Sequence, residues 1–294
     1  MAKSRTVDAP AELLAYLFAA WPEVKKKQVR TWLKHRAVIV NGRAVTQFDH
    51  RLRSGDVVSV RTDRVIVPEA VAASGLDILF EDAAVLVIEK PAGLLSIATA
   101  TELENTAYHH LTDYVRQAKG SARARVWIVH RLDRETSGLM VFAKSAEVKR
   151  VLQGGWSDVV KRYQAVVEGR LPAEQGTLES HLNESSPSKV FRAPRSERTR
   201  HALTRYRVMA SGASRTLVEL VPETGRRHQL RVHLADAGCP IVGDRKYGAK
   251  TDPADRIALH ACVLEFSHPE TGEALRFDSP LPLELARLCK WGQV

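Results

Sequence analysis

His130-Arg131-Leu132-Asp133-Arg134-Glu135-Thr136-Ser137-Gly138 is the stretch on which the reading of this chain turns. Apolar runs flank it, Val126-Trp127-Ile128-Val129 before and Leu139-Met140-Val141-Phe142-Ala143 after. Both are short and rich in β-branched or aromatic residues, which reads as buried strand. The nonapeptide between them is too charged for a strand interior. It is expected as a loop held by two rigid arms at a sheet edge, a common place for chemistry. One carboxylate, Asp133, stands there between Arg131 and Arg134. Taken alone, a carboxylate beside arginines is more often half of a structural ion pair than a catalyst.

The chain has 294 residues, which suits one large domain and one small one. At 44% hydrophobic residues it can build a core, which excludes wholesale disorder. Lys and Arg number 44 against 34 Asp and Glu, a formal charge of +10. That excess points to an anionic partner, nucleic acid before membrane. The cysteines, Cys239, Cys262 and Cys289, have no C-x-x-C spacing, which speaks against a disulfide framework and a thiolate zinc site. The apolar run from Leu13 to Trp21 is too short to cross a bilayer and is followed by Lys25-Lys26-Lys27, so it reads as the buried side of a helix. The expectation is a cytoplasmic protein with no membrane contact. A monomer is expected, because no interaction helix stands out.

Charge is unevenly spread. Residues 1–62 hold twelve Lys and Arg against five Asp and Glu, most of the net positive charge in a fifth of the chain. Such asymmetry marks a nucleic-acid-binding module. A first helix is expected over Ala11 to Ala20. A second is expected from about Lys26 to His35, with Val29, Trp32 and Leu33 at helical spacing. Val38-Ile39-Val40 reads as a strand, Asn41-Gly42 as a tight hairpin turn, and Leu52 to Val60 as the closing segment through the turn Ser54-Gly55-Asp56. Residues 63–75 read as a linker and 76–294 as the second domain. Two basic helices before V-x-V-N-G and a later L-x-x-G-D-x-V resemble the S4-like RNA-binding domain over roughly residues 10–60. A small ubiquitin-like domain of no set function is the plain alternative. On the first reading Lys25, Lys26, Lys27, Arg30, Lys34 and Arg36 would neutralise phosphates and position RNA without reading sequence.

The second domain shows a longer resemblance. H-R-L-D-x-x-T-S-G-L resembles the catalytic loop of the RluA-like pseudouridine synthases, in which the Asp is the nucleophile. Glu89-Lys90-Pro91-Ala92-Gly93 follows a strand as in that family's first motif, with Glu89 where Asn is usual. Lys161-Arg162-Tyr163-Gln164-Ala165 resembles its K-x-Y-x-A strand, whose Tyr lines the site. Thr224-Gly225-Arg226-Arg227-His228-Gln229-Leu230-Arg231-Val232-His233, then Gly243-Asp244 and Tyr247-Gly248, resemble its third motif. Arg227 and Cys239 depart from that motif at positions that are not catalytic. The match runs in order over roughly residues 77–280.

The resemblance implies an α+β catalytic domain, a pseudouridine synthase fold with a largely antiparallel mixed sheet and flanking helices, preceded by a small α/β S4-like domain. It implies Asp133, Tyr163 and Arg231 as catalytic residues. His130, Arg131, Thr136, Gly138, Arg226, His228 and Gln229 are expected to bind substrate. Arg192 and Arg195, in the basic run of residues 187–207, are expected to contact RNA phosphates. Isomerising uridine needs no redox change, metal or energy source, so no cofactor and no metal are expected; the sequence carries no P-loop, G-x-G-x-x-G or zinc spacing. Arg231 would keep Asp133 ionised. Asp133 has three routes open: attack on the sugar, attack on the uracil ring, or abstraction of a ribose proton. Tyr163 would stack on the flipped base, and its hydroxyl could assist removal of the proton from carbon five. The expected partner is RNA, ribosomal RNA of the large subunit first and transfer RNA second. A non-catalytic RNA-binding assembly factor, and a hydrolase using Asp133 with Glu135, stay as rivals.

Overall fold

The computed structural model describes residues 3–34, 37–41, 43–45, 47–60, 74–186 and 189–289. The chain divides into two units, Met1–Ile66 and Val67–Val294.

The first unit contains β1 (Lys3–Thr6), β2 (Ala11–Glu12), α1 (Leu13–Ala20), α2 (Lys26–Lys34), β3 (Val38–Val40), β4 (Arg43–Ala44), β5 (Arg51–Leu52) and β6 (Val57–Val60). Its sheet runs β1-β6-β3-β4, and β2 pairs separately with β5. Leu13, Leu17, Trp21, Val29, Leu33, Val38 and Val58 form the core. The first helix starts two residues later than expected, because Ala11 and Glu12 are extended and pair with Leu52 and Arg51. The closing segment turns at Ser54-Gly55-Asp56, as expected. The Asp56 carboxylate accepts the Arg53 N–H at 2.7 Å and an Asn41 amide hydrogen at 2.8 Å, which folds residues 53–56 into a turn. Asn41 has φ 49°, the left-handed backbone that an Asn-Gly hairpin requires. Lys25, just before α2, and Lys26 and Arg30 on it are exposed, and the cations of Lys26 and Arg30 lie 5.6 and 5.5 Å from the centre of the Phe18 ring. The Lys27 and Lys34 side chains, Arg36 and most of the expected linker lie outside the described residues.

The second unit begins with β7 (Asp77–Glu81), β8 (Val85–Lys90), α3 (Ala107–Lys119), β9 (Trp127–Ile128), β10 (Ser137–Ala143) and α4 (Ala146–Gly154). It continues with β11 (Val160–Glu168), β12 (Gln175–Asn183), β13 (Phe191–Arg192), β14 (Thr199–Ser211) and β15 (Arg215–Pro222). Then come α5 (Gln229–Asp236), β16 (Leu259–Ser267), β17 (Ala274–Asp278) and α6 (Leu283–Ala286). One sheet runs β13-β12-β14-β15-β11-β16-β10-β8-β7, with β17 added on β16 and β9 on β10. Among the described residues every pairing in it is antiparallel except β10 with β16. This is the mixed, largely antiparallel α+β architecture expected from the sequence.

Two of the helices start where a side chain takes up a free amide. Thr106 accepts from the His109 N–H at the start of α3, and Ser145 accepts from Val148 N–H at the start of α4. The wholly buried strand β10 reads as a continuous apolar run because both of its faces are covered. It also corrects the loop boundary. Ser137 and Gly138 belong to β10, beside His260 and Ala261 of β16. A Cβ at residue 138 would stand 2.2 Å from the Ala261 carbonyl oxygen, and φ is +118°, so only glycine lets these strands meet here.

Candidate active site

The loop between β9 and β10 is tied down from below. Lys90 ends β8, is fully buried, and donates from Nζ to the carbonyl oxygens of Pro91 (2.8 Å), Leu94 (2.7 Å) and Arg134 (3.1 Å). Burial lowers its pKa to about 7, against the charges of Asp133 and Glu135, which favour the ammonium. Ser96 clamps Leu132 by donating to its carbonyl (2.6 Å) and accepting its N–H (3.1 Å). His130 Nε2 accepts the Val141 N–H at 3.1 Å, and its ring stacks on Trp156 with centroids 4.6 Å apart. Burial, helped by the Lys161 charge, lowers the His130 pKa to about 3, so the ring is neutral and serves as an acceptor. The carboxylate of Asp133 is thereby presented by a backbone with little freedom.

Arg231 reaches that carboxylate from α5, with Nη1 3.3 Å from Asp133 Oδ2. The rest of its fork is taken by Asp244, Nε to Oδ2 at 2.7 Å and Nη2 to Oδ1 at 2.9 Å. Both partners are nearly inaccessible, side chains 5% and 1% exposed. Burial works against the Arg231 charge, yet the Asp244 bonds and the charges of Asp244 and Asp133 outweigh it and raise the pKa. Glu135 stands farther off, 3.7 Å from the same Nη1, and is not part of the cavity wall. His228, in left-handed backbone at φ 53°, precedes α5 and places Nε2 3.9 Å from Asp133 Oδ2. Its Nδ1 lies 2.8 Å from the Tyr247 hydroxyl.

These groups border a cavity of about 540 Å³, within the usual range for small-molecule sites. Tyr163 of β11 and Trp156 supply aromatic wall; Arg131, Thr136, Arg226 and Arg227 line it as well. A β-bulge between Arg162 and Tyr163 shifts the pairing with β16 at this point. Such bulges re-aim side chains near functional sites. Burial, and then the Asp133 charge, push the Tyr163 hydroxyl far above the ordinary phenol pKa, so it is a hydrogen-bond donor at neutral pH. The cavity thus combines the Asp133 carboxylate and its fixed Arg231 partner with the imidazoles of His130 and His228 and aromatic faces, and Glu184 and Glu223 line it as well. That set suits a flat, polar ring attached to a sugar.

Comparison with known proteins agrees with the geometry. Residues 84–236 match the family model for RNA pseudouridylate synthase. An uncharacterized RNA pseudouridine synthase of Bacillus subtilis, YlyB, is 36% identical, over 90% of this chain and 88% of its own length. The ribosomal large subunit pseudouridine synthase D of Xanthomonas campestris is 35% identical, over 98% of this chain and 88% of its own. The chain belongs to the RNA pseudouridine synthase family. Among solved structures, human RNA pseudouridylate synthase domain containing 4 is similar with a TM-score of 0.62 and 29% identity, over 74% of this chain and 96% of that one.

Within this synthase the expected site residues fall into groups. Asp133, Arg231, His228, Tyr163, Arg131, Thr136, His130 and Arg226 all border one cavity. Gly138 does not; its expected place among substrate contacts is corrected by the close crossing of β10 and β16. Gln229 borders the cavity but has no hydrogen-bonding capacity left for substrate. Its oxygen accepts from the Thr224 hydroxyl (2.8 Å) and the Arg226 N–H (3.0 Å). Its nitrogen donates to Leu203 O (2.9 Å) and Thr204 Oγ1 (2.9 Å), tying α5 to β14. Arg192 and Arg195 are exposed in a separate groove with Glu179, Ser180 and His181, not at the Asp133 cavity. Arg231 is buried on a helix.

Sequence reasoning gave no role to Lys90, Ser96, Trp156, Asp244 or Tyr247. The K-P-x-G turn and the G-D-x-x-Y-G run were visible as motifs, but their side-chain targets lie far away in the chain. Besides its motif, Lys90 showed only as a charge at the end of an apolar strand, which is normally solvated.

Proposed function

We propose that this synthase converts uridine to pseudouridine in large-subunit ribosomal RNA, with Asp133 as the nucleophile. The observation that carries the reading is the Asp133 carboxylate at the cavity, paired with an arginine that a second, buried carboxylate holds in place. An ionised Asp at the sugar–base bond is the group this chemistry needs. The choice of ribosomal RNA rests on relatives named ribosomal large subunit pseudouridine synthase D, several of them 31–36% identical.

Uracil in a stem is out of reach, so the target nucleotide has to flip into the cavity, at a cost of a few kcal/mol. Stacking on an aromatic returns about 1–3 kcal/mol per base, which makes Tyr163 the natural platform. Its raised pKa favours a donor and a wall over a free base; it could take the proton from carbon five only by passing its own proton on. Arg131, exposed at the cavity, would fill the stack vacated by the base or grip its phosphate. The N-terminal unit acts as an S4-like RNA-binding module through Lys25, Lys26 and Arg30, and Arg192 and Arg195 extend the phosphate contacts.

The test is tritium release from ribosomal and transfer RNA labelled at carbon five of uridine, using the wild type and Asp133→Ala. Release from ribosomal RNA by the wild type alone is expected. Release by Asp133→Ala at the wild-type rate would remove Asp133 from the mechanism, and release only from transfer RNA would replace the substrate.

A further inference from the structure

We propose that Asp244 and Tyr247 are positioning residues. From one turn they set both groups that face Asp133: Arg231 through a two-point carboxylate clamp, and His228 through the choice of its tautomer. This rests on the reading of Asp133 as nucleophile.

The turn is itself rigid. Residues 245–247 form a single 3₁₀ turn, with the Tyr247 and Ala249 N–H groups both donating to the Asp244 carbonyl, at 3.0 and 3.1 Å. Gly243, at φ +82°, lies so close to Arg256 that a Cβ would stand 2.2 Å from its carbonyl oxygen. Two side chains leave this anchored turn toward the same carboxylate.

Asp244 acts on Arg231. A guanidinium is a planar fork with five N–H donors, and its orientation is fixed once two of its nitrogens are bound in parallel. Asp244 binds Nε and Nη2. Only Nη1 is left to face Asp133. The ring of Tyr247 closes the arrangement, with the Arg231 guanidinium carbon 5.1 Å from its centroid.

Tyr247 acts on His228. Its hydroxyl oxygen accepts the Val190 N–H at 3.1 Å, which leaves the hydroxyl hydrogen to be donated. Among the described residues the acceptor within reach is His228 Nδ1 at 2.8 Å. Burial lowers the pKa of His228, against the opposing charge of Asp133, so the ring is neutral near pH 7 and carries one proton. With Nδ1 accepting, that proton is on Nε2, the nitrogen 3.9 Å from Asp133 Oδ2. His228 therefore presents an N–H, not a lone pair, to Asp133 and to any ribose or uracil oxygen lying between. In the opposite tautomer, a lone pair would face the carboxylate and repel it. The left-handed backbone of His228 is costly for a residue with a side chain, and such strain persists where surrounding contacts over-determine it.

Tyr247→Phe and Asp244→Asn test this, with Asp133→Asn as control, on tritium-labelled ribosomal RNA from which the wild type releases tritium. Tyr247→Phe keeps the ring and removes only the hydroxyl. Its kcat should fall on the order of ten- to a hundred-fold, by analogy with the loss of groups that orient metal-ligating side chains, with KM unchanged. In protein labelled with nitrogen-15 histidine, the His228 signals should move from the Nε2–H pattern toward a mixture of tautomers. Asp244→Asn should likewise lower kcat and leave KM unchanged. Unchanged kcat in Tyr247→Phe, or lowered kcat with the His228 tautomer unmoved, overturns the proposal. If Asp244→Asn does not fold, Tyr247→Phe decides alone. Wild-type turnover by Asp133→Asn would sink the underlying reading of Asp133 instead, whatever the other two variants do.

Discussion

Replacing Arg231 separates what its ion pairs do for the fold from what they do for catalysis. In Arg231→Met the Asp244 carboxylate, 1% exposed, loses two charge-assisted hydrogen bonds of 2.7 and 2.9 Å, and no other ion pair to it is found among the described residues. Leaving one member of a buried pair uncompensated costs about 3–5 kcal/mol, a large share of the ~5–15 kcal/mol that holds a domain together. The double variant Arg231→Met with Asp244→Leu removes both charges. Apolar replacement of a whole buried pair is often neutral, so the double variant should regain most of the lost stability. It should not regain activity, because Asp133 still lacks its partner. Urea unfolding followed by tryptophan fluorescence measures the first effect and tritium release the second. A single variant that costs less than about 1 kcal/mol would refute the argument from burial. A double variant with wild-type turnover would show that the Arg231 contact with Asp133 is dispensable.

Three further outcomes are expected. Gly138→Ala should destabilise the second unit by at least the ~1–3 kcal/mol of an overpacked core, because its Cβ would meet the Ala261 carbonyl at 2.2 Å; a melting temperature equal to wild type would mean the strands separate freely. Reversing the exposed charges on α2 and just before it by Lys25→Glu, Lys26→Glu and Arg30→Glu should weaken RNA binding and flatten its dependence on salt, by about 0.7–0.9 in log–log slope per lost phosphate contact. An unchanged slope would show that this helix does not touch RNA. Stability should also fall in acid. His130 and His233 are kept neutral in the fold, chiefly by burial, with pKa values lowered from 6.5 to about 3 and about 4. The unfolded chain binds these protons first, so stability is full above pH 6.5 and is lost as pH falls toward those lowered values. A urea midpoint that does not change between pH 7 and pH 4 would contradict this.

Local pattern carried much of the fold. The apolar runs flanking Asp133 appear as β9 and β10, and the helical spacing of Val29, Trp32 and Leu33 appears as α2, because a doubly covered strand calls for an unbroken apolar run and a one-sided helix for a fixed period. Their boundaries were less legible. Ser137 and Gly138 read as loop from their polarity, but the β16 backbone supplies partners that a local reading cannot foresee. The helix containing Arg231 was hidden for a related reason: Gln229, Arg231 and His233 are polar yet buried, so α5 lacks the one-sided pattern of a surface helix. At the site, the order of the motifs pointed to Asp133, Tyr163 and Arg231. The residues that hold them were decided by tertiary structure. Arg231 meets Asp244 thirteen positions away and Asp133 ninety-eight away, and Lys90 reaches Arg134 across forty-four. A sequence displays which groups are present and how neighbours repeat. It does not display which buried charge meets which, because that pairing is set by the desolvation each group would suffer alone, and only the packed chain brings the compensating partner within reach.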